Sequence, residues 1–260
     1  MDGLDKISPW PRRTAAAALV NQEITTVIDS HPFVHHLAGK LATVGVDLAS
    51  IVDFIVLPSE QFHSEWTNAG YCRQDGVVEL GFSCPDAQLP NVLVCPQSTS
   101  PKLYIRVESI EDFLAVNNLH NITVHGALEA DLRFSGELVP GSSCYLVQRS
   151  GTRRYSVTTH PATYAESLAE VRQLFRDRPR TGDDLADTRG ASHAFSYAET
   201  KIGSGRAVDE FFAAERDYWM SRNSAGRWQK SRQDSIGIGW ANHDHHTYRS
   251  SREGFQGLIQ

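Results

Sequence analysis

The chain has 260 residues, 40% hydrophobic and 22% charged, with a formal net charge of −6. That size suits one large domain or two small ones, and the composition is that of an ordinary globular protein. The acidic balance argues against a general nucleic-acid binder, which relies on clustered Lys and Arg. Local basic runs at 172–180 and 216–232 are interrupted by acidic residues and read as solvated faces. The cysteines, Cys72, Cys84, Cys95 and Cys144, form no C-x-x-C pair and read as reduced, buried thiols of a cytoplasmic protein. No apolar run approaches the ~18 to 20 residues of a membrane span.

At the N-terminus, Arg12-Arg13 precedes an apolar patch at 14–20, as in an export signal. The patch is short and runs straight into Asn21-Gln22-Glu23, so no signal is expected. Residues 14–50 read as helical, with Asp47 capping a short turn after Gly45. Strand-like runs follow at 51–57, 76–82, 92–95, 103–107, 128–134, 144–149 and 154–158, separated by turn residues. The last two suit a hairpin closed around Ser150-Gly151. Ser109-Ile110-Glu111-Asp112 is a capping box opening a helix through Asn117. Residues 163–176 form an amphipathic helix with Leu168, Val171, Leu174 and Phe175 on one side.

The fold class is therefore α+β: residues 1–176 form a domain with a mixed or antiparallel sheet. Residues 177–206, rich in Asp, Arg, Gly, Ser and Thr, read as a linker or long loop. The third segment, 207–260, opens with a long helix over 207–234. There Val208, Phe211, Phe212, Glu215, Tyr218, Trp219, Arg222, Ala225 and Trp228 recur at three- and four-residue spacing. Such an aromatic stripe marks core or interface. Gly237-Ile238-Gly239 stops the helix, 240–248 reads as a strand, and Ser250-Ser251-Arg252-Glu253 opens a second capped helix. The chain ends at Gln260, a few turns into that helix, which leads to the expectation of a fragment or of a helix that packs on a partner.

The densest chemistry is His243-Asp244-His245-His246-Thr247-Tyr248-Arg249-Ser250. Imidazole and carboxylate together suit a borderline divalent metal such as Fe, Mn, Ni or Zn. Arg249 adds a fork for a carboxylate or phosphate. On a strand, His243, His245, Thr247 and Arg249 share a face, so two imidazoles reach one metal and Arg249 stands at the end of the row. Without a metal, the same histidines would bond backbone carbonyls.

Asp244-His245-x-x-x-Arg249-Ser250 resembles the first-strand motif of the vicinal oxygen chelate superfamily, in particular its 2-oxoadipate dioxygenase/decarboxylase branch. The resemblance covers about 15 residues. It implies a βα start of a βαβββ module, with His245 as a metal ligand and Arg249 as the clamp for a substrate carboxylate. The later strands of such a module, which carry a second His and a Glu, have no counterpart here. A weaker internal likeness links Tyr104-Ile105-Arg106 to Ser109 and Phe113 with Tyr248-Arg249 to Ser251 and Phe255.

Asp244-His245-His246 also spells the signature of the DHH phosphoesterases, but their further strand aspartates have no clear match. His31, His35, His36, His63 and His125 are further candidate ligands, each more readily a structural or surface histidine. No nucleophile elbow, P-loop or dinucleotide fingerprint is present. The leading expectation is a metal-dependent enzyme, or a fragment of one, for a small anionic oxo-acid substrate, of dioxygenase or lyase type. His245 would be a metal ligand, His243 a second ligand or acid/base, and Arg249 the carboxylate anchor. The alternative is a non-catalytic interaction or dimerisation protein that docks through 207–234. Neither nucleic acid nor membrane is expected as a partner; a second copy or a missing C-terminal half is.

Overall fold

The computed structural model describes residues 13–74, 81–85, 87–151, 155 and 159–240. It opens with α1 (Thr14–Ser30) and α2 (Pro32–Thr43), which pack on each other. Between them His31 is extended, and its Nδ1 accepts the Phe33 N–H at 3.1 Å. Pro32 takes the first helical position, where a missing N–H costs nothing. Asp47 caps α3 (Leu48–Ile51) through Ala49 N–H. The chain then enters β1 (Val52–Leu57), passes α4 (Ser64–Asn68), and forms β2 (Cys72–Arg73), β3 (Gly81–Ser83), β4 (Asn91–Val94) and β5 (Lys102–Arg106). After α5 (Ile110–Val116) come β6 (Val124–His125), β7 (Leu132–Ser135) and β8 (Cys144–Arg149).

Among the described residues, eight strands lie in the order β2-β3-β4-β1-β5-β8-β7-β6. β1 runs parallel to β4, and β5 parallel to β8. β1 and β5, β2 and β3, and β3 and β4 are antiparallel, so the sheet is mixed. Strand alternation sets its faces. Leu103 and Ile105 of β5 are fully buried, whereas Lys102, Tyr104 and Arg106 are half-buried. On that second face Phe54, Tyr104 and Tyr145 stack as a cross-strand ladder, with ring centroids 4.2 and 4.8 Å apart.

The chain divides into two compact units. The first comprises 1–107, 118–123 and 135–147. Val20, Ile24 and Val27 of α1, Val34, Leu37 and Leu41 of α2, and Ile55, Leu57, Val92, Leu103 and Ile105 of the sheet are its buried residues. The second comprises 108–117, 124–134 and 148–260. Its core lies among α6 (Tyr164–Asp177), α7 (Asp184–Ile202) and α8 (Ser204–Arg222), where Leu168, Val171 and Phe175 meet Ala194, Ala198, Ile202, Ala207 and Ala214. α9 (Ser224–Asp234) follows.

Two sequence expectations are corrected here. Residues 177–206 are not a loop, because α7 fills most of them. Asp183 Oδ1 caps it by accepting Leu185 and Ala186 N–H, and the Asp187 carboxylate accepts Thr181 and Gly182 N–H. Nor is 207–234 one helix. It breaks at Asn223, whose Oδ1 accepts Ala225 and Gly226 N–H to start α9. The strand expected over 128–134 is confined to Leu132–Ser135. The strand at 154–158, with its hairpin, and most of the strand at 76–82 fall outside the described residues, as do 241–248 and the last capped helix. The capping box at Ser109 is present: its Oγ accepts Asp112 N–H at 3.2 Å.

Candidate functional site

His243, His245 and Arg249 lie outside the described residues. What the structure gives is the approach to them. The last turn of α9 closes as a helix stop, with Gly237 N–H on Asp234 O and Ile238 N–H on Gln233 O. The next residues dock on α5. Asn117 Nδ2 donates to Ile236 O at 3.1 Å, Glu108 N–H donates to Ile238 O at 3.1 Å, and Trp240 N–H donates to Glu108 Oε2 at 3.0 Å. Ile238 is fully buried. Both flanking glycines are required. Gly237 has φ +83°, and a Cβ there would stand 2.7 Å from Phe113 Cα. At Gly239 (φ +56°) it would stand 2.2 Å from Glu108 Oε2.

A shallow cavity of about 270 Å³ opens at this junction, lined by Glu108, Ser109, Asp112, Lys230, Asp234 and Gly239 among others. Lys230 Nζ donates to Glu108 Oε2 at 2.7 Å and to Asp234 Oδ1 at 2.5 Å. Burial by itself pulls the Lys230 ammonium down, but these two carboxylates hold it above its ordinary range. Three carboxylates face one ammonium, so the cavity keeps an excess of negative charge. Sequence reading missed this group. Glu108 was legible only as the residue before a capping serine, and nothing in the sequence links it to Lys230 or Trp240.

The other candidate histidines do not gather. His31 is the N-cap of α2, His35 and His36 are exposed on that helix, and His63 precedes α4 without a side-chain cap bond. His125 stacks on Phe134 with centroids 4.8 Å apart. Among the described residues no group of three or more His, Cys, Asp or Glu is arranged to hold a metal.

A second polar cluster, also unanticipated, lies in the second unit. Arg172 holds Glu210 through two bonds of 2.8 Å, and Arg206 Nε reaches the same carboxylate at 2.9 Å. Arg206 lies 3.6 Å from Asp131, which lies 3.4 Å from His160 Nε2. His160 in turn stacks on Tyr164 at 3.7 Å. Burial pushes the Glu210 carboxyl up, but the hydrogen bonds and charges of Arg172 and Arg206 outweigh it and hold the group below the usual carboxylate range. Glu215 repeats the pattern, accepting from Arg178 and Arg180 at 2.7 Å each. These pairs neutralise charge beside a helical core. Apart from the i,i+4 pair Arg206–Glu210, the partners are distant in sequence, so no local motif announces them.

No family model matches the chain, and neither a curated protein nor a solved structure matches it. The likeness at Asp244–Ser250 therefore stands on those residues alone.

Proposed function

We propose that this chain is a metal-dependent enzyme acting on a small oxo-acid substrate, of dioxygenase or lyase type, with a vicinal-oxygen-chelate-like βα unit beginning after Trp240. The observation that carries the reading is the pattern His243-x-His245-x-x-x-Arg249. On a strand, period-two alternation would put both imidazoles and the guanidinium on one face. The donor set fits a borderline metal, since imidazole nitrogen with carboxylate oxygen is the set Fe, Mn, Ni and Zn share. The surroundings support it. Trp240, the last described residue before the motif, is bonded to Glu108, and Asp112 and Asp234 line the same cavity. The chain thus carries carboxylates of the type that completes or orients a two-histidine set.

A bound metal would supply Lewis acidity toward the paired oxygens of a 2-oxo acid and, as Fe(II), dioxygen activation. The chain's own part is to hold that group and orient the substrate. His243 and His245 would ligate as neutral imidazoles. Arg249 would take the substrate carboxylate through two parallel N–H bonds, fixing which oxygens face the metal.

The test is metal content per chain after reconstitution with Fe, Mn, Ni and Zn in turn. About one tightly held metal is expected, lost in His245→Ala and retained in His125→Ala. Unchanged metal content in His245→Ala would overturn the reading. In the metal-loaded protein, Arg249→Ala is expected to weaken binding of a 2-oxo acid about ten-fold or more while metal content holds, by calorimetric titration.

A further inference from the structure

We infer, against the sequence expectation of a merely solvated face and no nucleic-acid partner, that the exposed aromatics and arginines at the end of α8 and on α9 form a docking site for single-stranded nucleic acid, independent of the metal reading. The argument starts from α9. Of its eleven residues only Gln233 is buried. It has no apolar face, yet it carries Trp228 with 63% of its surface exposed. Near the end of α8, Trp219 is 59% exposed. Arginines lie on the Trp228 ring and on Tyr218, the neighbour of Trp219. Arg232 lies over the Trp228 ring, 4.6 Å from its centroid. Trp219 meets Tyr218 edge-on at 5.1 Å, and the guanidiniums of Arg222 and Arg180 lie 3.8 and 4.0 Å from the Tyr218 centroid.

Charge selects the occupant. Lys230 is matched by Glu108 and Asp234, so the basic excess of 216–234 is carried by Arg216, Arg222, Arg227 and Arg232 against Asp217, in a chain whose net charge is −6. The basic balance is local, so the surface is matched to a polyanion that the rest of the molecule would repel. A second copy fits badly, because a two-fold contact would set this patch against itself. A lipid surface fits badly as well, because α9 offers no apolar stripe to bury in the headgroup layer. A helix-binding groove needs apolar anchors at i, i+3 or i+4 and i+7, and α9 offers Trp228 alone. What remains is a partner with flat π faces strung on a line of negative charge. Unstacked bases lie on exposed indoles, and arginines take the phosphates.

The experiment is tryptophan fluorescence of the full chain titrated with a twenty-nucleotide oligothymidylate at about 50 mM and about 200 mM salt. Quenching at low salt is expected, with affinity falling as salt rises. Trp219→Ala and Trp228→Ala are each expected to weaken binding at least about five-fold, and Arg222→Gln to reduce its salt dependence. All three positions are exposed, so circular dichroism should show intact folds. Equal or tighter binding of polyglutamate would assign the surface to acidic proteins and overturn the inference. Preferential binding to anionic phosphatidylserine vesicles would overturn it too. So would quenching that both tryptophan variants leave unchanged, or no binding of the oligonucleotide at either salt concentration.

Discussion

Single carboxylates carry much of the second unit. The Glu215 side chain is 6% exposed and faces Arg178 and Arg180, at 8% and 11%. Truncating the charge in Glu215→Gln leaves two buried guanidiniums without an anion. That is expected to cost about 3 kcal/mol or more, read as a lower urea midpoint at constant slope. The same residues set the acid response. Burial raises the Glu215 and Glu210 carboxyls, but their arginines hold both below the usual range, and a hydrogen bond from Arg133 chiefly does the same for Glu111. A carboxyl depressed in the folded state binds its proton more readily when unfolded. Its stabilisation is therefore full above the unfolded value of about 4.3 and lost as pH falls through the folded one. Stability is expected to fall below about pH 4.5, and less steeply in Glu215→Gln. An unchanged acid profile in that variant would count against the role given to Glu215. Most of these roles were not legible in the sequence, because Arg172 with Glu210, and Arg178 and Arg180 with Glu215, join residues more than thirty positions apart.

At the scale of elements, legibility followed side-chain size. α6 was plain because Leu168, Val171 and Phe175 return on one face, and with Tyr164 they are its buried residues. α7 was hidden because it buries Ala194, Ala198 and Ile202, so its apolar stripe barely rises above an Asp- and Ser-rich background. The break between α8 and α9 was masked for another reason. Tyr218, Arg222 and Ala225 continue the helical period straight through Asn223, and the capping bonds that end the period are invisible to a count of spacings. Asn223→Ala is expected to lower stability by about 1 kcal/mol through loss of that cap. Gly205 offers a sharper test. In a helix, Gly→Ala ordinarily stabilises by about 1 kcal/mol. Here a Cβ would stand 2.2 Å from Gly151 O, so Gly205→Ala is expected to destabilise, with a lower thermal midpoint. A raised midpoint would mean that the two backbones do not meet so closely.

Across the whole molecule, a sheet was readable from the strand-like runs at 51–57, 92–95, 103–107 and 144–149, although only β5 alternates strictly between buried and half-buried residues, and the choice between mixed and antiparallel was left open. The carboxylate cavity was not, because Glu108 and Lys230 are 122 residues apart and become neighbours only through the docking of 236–240 on α5. The cysteines report on the first unit's integrity. Cys72 is exposed, Cys95 half-buried, Cys84 and Cys144 buried, and none is disulfide-bonded, so only two of the four match the expected buried thiols. Burial pushes the Cys144 thiol up to about 12, so it should stay unlabelled by a thiol reagent until the unit opens, whereas Cys72 reacts at once. Rapid native labelling of Cys144 would contradict the burial of β8. The sheet's two margins carry a last consequence. Among the described residues, the outermost strands, β2 and β6, are each two residues long. Little unpaired main chain is therefore offered where another polypeptide could add a strand. At these described margins, sheet-to-sheet growth into fibrils has a poor template.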